Sequence, residues 1–131
     1  MSKNDKNKKY SGSSEFIKII DLAVHESADS ITIEYDDDGL EVCYWVGITG
    51  IADVFVDRDY EEILIEYIIE AAGLENKAKG IIETELDGTK YNVNVEEYDH
   101  FGESAFRLSI RKMNNHITNQ LSRRREDSGF T

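Results

Sequence analysis

This chain of 131 residues has few of the residues that stabilise small proteins by covalent or metal chemistry. Its single cysteine, Cys43, excludes an internal disulfide and a cysteine-based zinc site. Proline is absent, and there are only three histidines, two methionines and one tryptophan. No long apolar run occurs, and the first residues lack the apolar segment of a secretory signal. We therefore expect a cytoplasmic protein without a transmembrane segment.

Acidic residues outnumber basic ones, and they are concentrated in the middle of the chain. The formal net charge is -12, from 27 acidic and 15 basic residues. Residues 1–13 and 111–131 each carry +3, so residues 14–110 carry -18. A body with this charge repels phosphate backbones, so we do not expect it to bind nucleic acid. The polar, basic ends predict a disordered arm over 1–13 and a flexible tail over 112–131.

The segment between these ends, 14–111, has the hydrophobic periodicity of a single α+β domain. Apolar residues at helical spacing predict two helices, one from Ser14 to near Ser27 and one over 59–72. Alternating apolar and polar residues predict six strands, over 30–35, 40–46, 51–56, 80–86, 89–97 and 104–111. In the order α-β-β-β-α-β-β-β, strands and helices do not alternate as they do in proteins with a parallel sheet. This order predicts a mostly antiparallel sheet with two helices on one face.

The second predicted helix is more apolar than a helix on one side of a sheet needs to be. Glu62, Glu66 and Glu70 form only a narrow polar stripe along it. A surface helix normally buries an apolar arc of about 100° or slightly more. The surplus is buried either by other parts of the same chain or by a partner, and the sequence leaves both open.

Four residues are candidates for a protein interface. Tyr35 and Trp45 lie on the strands around an acidic turn, and aromatic residues are enriched where proteins bind each other. Ile63 and Tyr67 lie on the unusually apolar helix. For Tyr35 and Trp45, packing within the domain is the favoured explanation over an interface, since strands also use aromatic residues in their core. A homodimer through this helix or through a sheet edge is one form of the interface.

No group of residues has the spacing of a catalytic, cofactor or metal site. The run Asp36–Gly39 has the acidity of a calcium loop, but Trp45 takes the place of the glutamate six residues past the glycine. The histidines lie far apart on different predicted elements, without an accompanying nucleophile. Cys43 lies close to Glu41, which does not activate a thiol. We therefore expect no enzymatic activity, no cofactor and no metal.

Three stretches follow a specific order of motifs. They are Ala28-Asp-Ser-Ile-Thr-Ile-Glu34, Gly39-Leu-Glu-Val-Cys-Tyr-Trp-Val-Gly-Ile-Thr-Gly50 and Gly102-Glu-Ser-Ala-Phe-Arg-Leu108. In order and spacing they resemble the N-terminal domain of the type II secretion and type IV pilus ATPases, over residues 14–111. The resemblance implies an α+β fold and a role in assembling a larger machine.

The chain also departs from that family. The positions that match the family's nucleotide-reading arginines hold Glu41, Cys43 and Trp45, and none of these is basic. The ATPase domain is missing, and no G-x-x-x-x-G-K-[ST] phosphate loop occurs. The resemblance therefore does not imply ATP hydrolysis. It favours a non-catalytic assembly module that binds a protein partner or a second copy of itself.

The alternative is an acidic, dimeric secretion chaperone of the type III kind. Such chaperones resemble this chain in length, in acidity and in the order α-β-β-β-α-β-β, which a further C-terminal helix completes. Residues 113–131 lack the amphipathic pattern of that helix.

Overall fold

A computed structural model describes the backbone of residues 2–113 and the side chains of residues 11–113. It contains two α-helices, Ser2–His25 (α1) and Glu61–Ala72 (α2), and a single 3₁₀ turn at Arg58–Tyr60. The six strands are Ser30–Asp36 (β1), Gly39–Val46 (β2), Thr49–Phe55 (β3), Lys79–Leu86 (β4), Thr89–His100 (β5) and Glu103–Met113 (β6). Apart from its first two residues, the tail predicted over 112–131 lies outside the described residues.

The six strands form one open sheet in the order β3-β2-β1-β6-β5-β4, and every neighbouring pair is antiparallel. Each half of the sheet is a three-stranded meander, and α2 connects the halves. The two meanders join where β1 pairs with β6, with Ile31 opposite Leu108 and Ile33 opposite Phe106. The predicted α+β fold and its order α-β-β-β-α-β-β-β are confirmed.

Both helices pack on one face of the sheet, and the hydrophobic core lies between them and the strands. The core side chains with no exposed surface include Phe16, Ile20, Ile31, Ile33, Leu64, Ile68, Phe106 and Leu108. Burial of each large apolar side chain contributes roughly 1.5–3 kcal/mol. Strand residues that alternate with the core, such as Thr32 and Arg107, form the opposite surface, which we call the open face.

The first helix begins at Ser2, well before the start predicted at Ser14. The arm expected to be disordered over 1–13 is therefore helical from Ser2, and the prediction is wrong there. Gly12 is buried where α1 meets α2, because it lacks a side chain that would hold the helices apart. Tertiary packing overrides the weak helix propensity of this glycine.

The second helix follows a capped 3₁₀ turn and ends at a glycine, while its own N-cap residue, Tyr60, makes no side-chain capping hydrogen bond. Asp57 accepts a hydrogen bond from the N–H of Asp59 at 2.9 Å and so begins the 3₁₀ turn that leads into α2. Gly73 ends α2 in the left-handed conformation, with φ of 67°. Within residues 2–113, neither helix combines the length and the apolarity that crossing a bilayer requires.

Candidate functional site

The two edge strands of the sheet differ in their protection against pairing with another chain. The edge strand β4 exposes the charged side chains of Lys79, Glu83 and Glu85. Charged residues on an edge strand are one of the devices that prevent association between sheets. The β4 edge is therefore protected in the usual way.

The opposite edge strand, β3, has little of this protection. Its seven residues carry a single charge, on Asp53, and no lysine or proline. The large side chains of Ile51, Val54 and Phe55 are 39%, 46% and 44% exposed. A change of register between Tyr44 and Trp45 interrupts the pairing of β3 with β2 near its start, so regular pairing runs over 52–55. This stretch is the least protected edge of the sheet.

The backbone of β3 points hydrogen-bonding groups outward. The N–H of Val56 donates to the carbonyl oxygen of Leu40 at 2.9 Å, which fixes the phase of the ladder between β2 and β3. In an antiparallel ladder the residues alternate between bonding the neighbouring strand and pointing away from it. The N–H and C=O groups of Asp53 and Phe55 therefore point away from β2, where a further strand would accept and donate hydrogen bonds.

A groove of about 260 Å³ runs beside β3 on the helix-covered face. Its apolar lining comes from three elements and includes Ile19, Leu22, Val42, Tyr44, Val54, Phe55 and Val56. Ile19 and Leu22 of α1 line one side of the groove, and Val42 and Tyr44 of β2 line it together with residues 54–56. An unpaired strand edge and an apolar groove thus lie side by side.

The charged residues that line the groove leave it negative. They are Glu15, Lys18 and Asp57. The ammonium group of Lys18 lies 2.9 Å from a carboxylate oxygen of Glu15, and this hydrogen bond raises the pKa of Lys18. Since the cation is already paired with Glu15, Asp57 determines the charge that a ligand in the groove would meet.

Carboxyl groups crowd the other side of β3, on the open face. A hydrogen bond with Asp53 is the main cause that raises the pKa of Glu41, followed by burial and by the charge and hydrogen bond of Asp36. Next to them, burial and then the charge of Glu41 raise the pKa of Cys43 to about 11. This side therefore concentrates negative charge and keeps the cysteine as a thiol at neutral pH.

A second polar cluster lies farther along the open face. The hydroxyl of Tyr98 donates a hydrogen bond to the carboxylate of Glu34, and His100 Nδ1 lies 3.6 Å from the same carboxylate. The guanidinium of Arg107 lies 5.3 Å from the centre of the Tyr98 ring. Burial, and then Glu34, raise the pKa of Tyr98, so its hydroxyl remains the donor. These contacts join β1, β5 and β6.

Of the four residues predicted from sequence, Ile63 and Tyr67 lie together on α2, whereas Tyr35 and Trp45 lie on the strands β1 and β2. Tyr35 lies at the end of β1, where burial and then the charge of Glu61 raise its pKa. Trp45 lies on the open face, and its indole N–H donates to Thr32 Oγ1 at 3.0 Å. The two remaining residues, Ile63 and Tyr67, contact α1.

The contacts of Ile63 and Tyr67 show what covers the surplus apolar surface of α2. A Cβ atom on Gly12 would approach both residues, and the rings of Phe16 and Tyr67 lie 5.5 Å apart. The surface is therefore covered from within the chain, the first of the two alternatives that the sequence leaves open. A role for the four residues in binding a partner stays a prediction.

The sequence analysis missed the β3 edge, although a signal was present. The run Ile51–Val56 contains a single charge and ends in three consecutive apolar residues. That pattern indicates an unprotected edge only once the strand order is known, since a central strand has the same composition.

Among residues 2–113, no group of three His, Cys, Asp or Glu side chains is arranged to hold a metal ion. No model of a known protein family matches the chain, and neither does any curated protein. The function is therefore argued from the geometry of β3 and its surroundings.

Proposed function

We propose that this protein is a non-catalytic assembly module that binds a protein partner by adding a strand of that partner to β3. The observation that carries the proposal is the contrast between the two edges of one sheet. Main-chain groups point outward from both edges, but β4 bears three charges and exposes one large apolar side chain, Ile81, whereas β3 bears one charge and exposes three large apolar side chains. An unprotected edge tends to pair with other chains, and proteins normally block such edges. We therefore interpret the open β3 edge as one that is kept for binding.

The energetics of strand addition show why the groove matters. Asp53 and Phe55 offer two N–H and two C=O groups, and each hydrogen bond contributes about 0.5–1.5 kcal/mol net. Association costs at least about 4 kcal/mol in lost translational and rotational freedom. Main-chain pairing alone therefore barely offsets that cost, and affinity depends on burying apolar side chains beside Val54 in the groove.

The titratable groups of the open face support a role without catalysis. Cys43 is held as a thiol, and the carboxylate of Glu34 is already bonded to Tyr98. The resemblance to the secretion-ATPase domain supports a role in the assembly of a larger complex. A chain with a single cysteine cannot form an internal disulfide, and this composition supports a reducing, cytoplasmic location.

A dimeric, acidic chaperone of the type III kind is the second candidate. The observed order begins α-β-β-β-α-β-β, as in that class, and the body carries -18 over residues 14–110. In this case a second copy of the chain occupies β3. The two candidates therefore differ in what pairs with the same edge.

A matched pair of proline variants tests the proposal. Phe55→Pro removes an outward N–H on β3 and leaves the ladder with β2 intact. Glu83→Pro is its counterpart on β4: the N–H of Glu97 donates to the carbonyl of Ala78 at 2.8 Å, which places the N–H of Glu83 on the outer side. Both variants should keep the circular dichroism spectrum of the parent protein.

Partner capture from cells that naturally produce the protein, followed by hydrogen exchange of the complex, is the measurement. We expect Phe55→Pro to weaken the affinity for the partner at least about tenfold and Glu83→Pro to leave it unchanged. In the complex, the amides of residues 52–56 should be protected from exchange. Sedimentation equilibrium shows whether the partner is a second copy of the chain. A dimer that Phe55→Pro dissociates and Glu83→Pro does not would favour the chaperone candidate. Equal capture by both variants, or ATP binding by calorimetry, would refute the proposal.

A further inference from the structure

The two sides of the β3 edge place different chemical demands on a strand that pairs with it. Successive side chains of the added strand fall on opposite faces of the sheet. On the helix-covered face they meet the apolar groove next to Val54 and Tyr44. On the open face they meet Asp53, which lies opposite Cys43, and Phe55, which lies opposite Glu41, so that both carboxyl groups are on this face.

We infer that the segment which binds β3 is a basic, amphipathic strand of another protein, in which apolar residues alternate with lysine or arginine. Its apolar side chains enter the groove, and its cationic side chains lie over the carboxyl groups of Asp53 and Glu41. This inference rests on the proposed function and specifies the partner of that site. The regular pairing over 52–55, extended by the hydrogen bond of Val56 to Leu40, accommodates a segment of about five residues.

Charge complementarity supports a cation at the open-face positions. Glu41 holds a proton more tightly than usual because Asp53 and Asp36 lie beside it. A lysine or arginine placed there supplies the positive charge in place of that proton. The cations of β6 on this face, Arg107 and Arg111, lie on a strand three places from β3. Arg107 contacts Tyr98 and lies 3.7 Å from Glu96.

A second copy of β3 fits the site poorly. Two copies that pair through this edge bring their Asp53 side chains onto the same surface, next to both Glu41 residues. Each body also carries -18 over residues 14–110, so the two copies repel one another. A basic segment removes both penalties, and we therefore assign the site to a different chain.

Three capped peptides of about eight residues test the inference by calorimetry with the full-length protein, at low and at physiological salt. The first alternates valine and lysine. The second has the same composition in two blocks, four valines followed by four lysines, and the third alternates valine and glutamate. The block peptide has the charge of the first peptide but cannot place apolar and cationic side chains on opposite faces.

We expect the alternating basic peptide to bind one-to-one and at least about tenfold more tightly than the block peptide at physiological salt. Asp53→Asn should weaken it about threefold or more, Phe55→Pro should abolish it, and Glu83→Pro should leave it unchanged. Hydrogen exchange should show protection at 52–56. Equal binding of the two basic peptides, or preference for the glutamate peptide, would overturn the inference.

The outcomes separate this inference from the proposed function. If the alternating peptide fails while Phe55→Pro still abolishes partner capture, the edge is functional and the partner chemistry is wrong. If sedimentation shows a dimer that Phe55→Pro dissolves, a second copy occupies the edge and the inference is also wrong. If Phe55→Pro changes neither capture nor peptide binding, the proposed function itself fails.

Discussion

A Cβ atom built on Gly12 would lie 2.7 Å from the Cβ atom of Tyr67 and 2.9 Å from the carbonyl oxygen of Ile63. In proteins, a Cβ atom essentially never lies within 3.0 Å of a heavy atom of a residue that is not its chain neighbour. The two helices are therefore closer here than any side chain at position 12 allows. One turn further along α1, the ring of Phe16 continues the contact with Tyr67.

Gly12→Ala should therefore destabilise the domain, although alanine is the better helix former. The gain in helix propensity is about 0.5–1 kcal/mol, whereas overpacking against backbone typically costs about 1–3 kcal/mol. We expect a net loss of about 1–2 kcal/mol in urea unfolding. Ser13→Ala, the next residue on α1, is the control and should change stability by less than about 0.5 kcal/mol. A stabilising Gly12→Ala would contradict this account of the contact.

Much of the fold was predictable because its signals are local. Alternating apolar and polar residues mark most of the strands, and the Asp87-Gly88 pair forms the expected tight turn with φ of 49° and 80°. The start of α1 was not predictable, because a glycine among serines and lysines is typical of an arm. Gly12 favours the helix only because it lets α1 approach Tyr67, a residue distant in sequence.

The candidate site was less predictable than the fold. Sequence identifies apolar residues such as Trp45 and Ile63, but it does not tell which of them the chain itself covers. The pairing of β1 with β6 decides the strand order, and only that order makes β3 an edge. The same residues on a central strand would be ordinary core.

Tyr98→Phe tests the polar cluster on the open face. Removing the hydroxyl deprives the Glu34 carboxylate of a donor, and hydrogen bonds to charged groups contribute about 1.5–3 kcal/mol. Because Glu34 is partly exposed and water replaces some of the bond, we expect a loss of about 1–2 kcal/mol in urea unfolding. Tyr91→Phe on the same strand is the control, since its hydroxyl makes no hydrogen bond within the described residues. An equal effect of both variants would show that the Glu34 contact contributes nothing.

The reactivity of Cys43 should follow its raised pKa. With a pKa of about 11 in the folded protein and 9.0 in the ordinary thiol, the folded state has about a hundredfold less thiolate at pH 8. Alkylation by iodoacetamide at pH 8 should therefore be at least about a hundredfold slower in the native protein than in urea. The native rate should still rise about tenfold per pH unit beyond pH 9. A plateau of the native rate near pH 9 would show an ordinary thiol.

Asp53→Asn should stabilise the fold at neutral pH. The pKa of Glu41 is raised in the folded state, so its contribution to stability is fully present below the ordinary pKa of 4.5 and is lost as the pH rises through the folded value. At pH 7 the carboxylates of Glu41 and Asp53 repel each other on a largely exposed surface. Removing one should raise the free energy of unfolding by up to about 1 kcal/mol, and less at high salt.

The pH dependence and a matched control separate this repulsion from a general effect of net charge. The gain from Asp53→Asn should shrink as the pH falls below 4.5, where Glu41 is protonated. Asp37→Asn removes the same charge at the tip of the adjacent turn and should give a smaller gain. If Asp53→Asn is more stable and yet binds the alternating basic peptide less tightly, the carboxylate pair lowers stability in favour of binding. Identical gains from the two variants would mean that the pair has no special role.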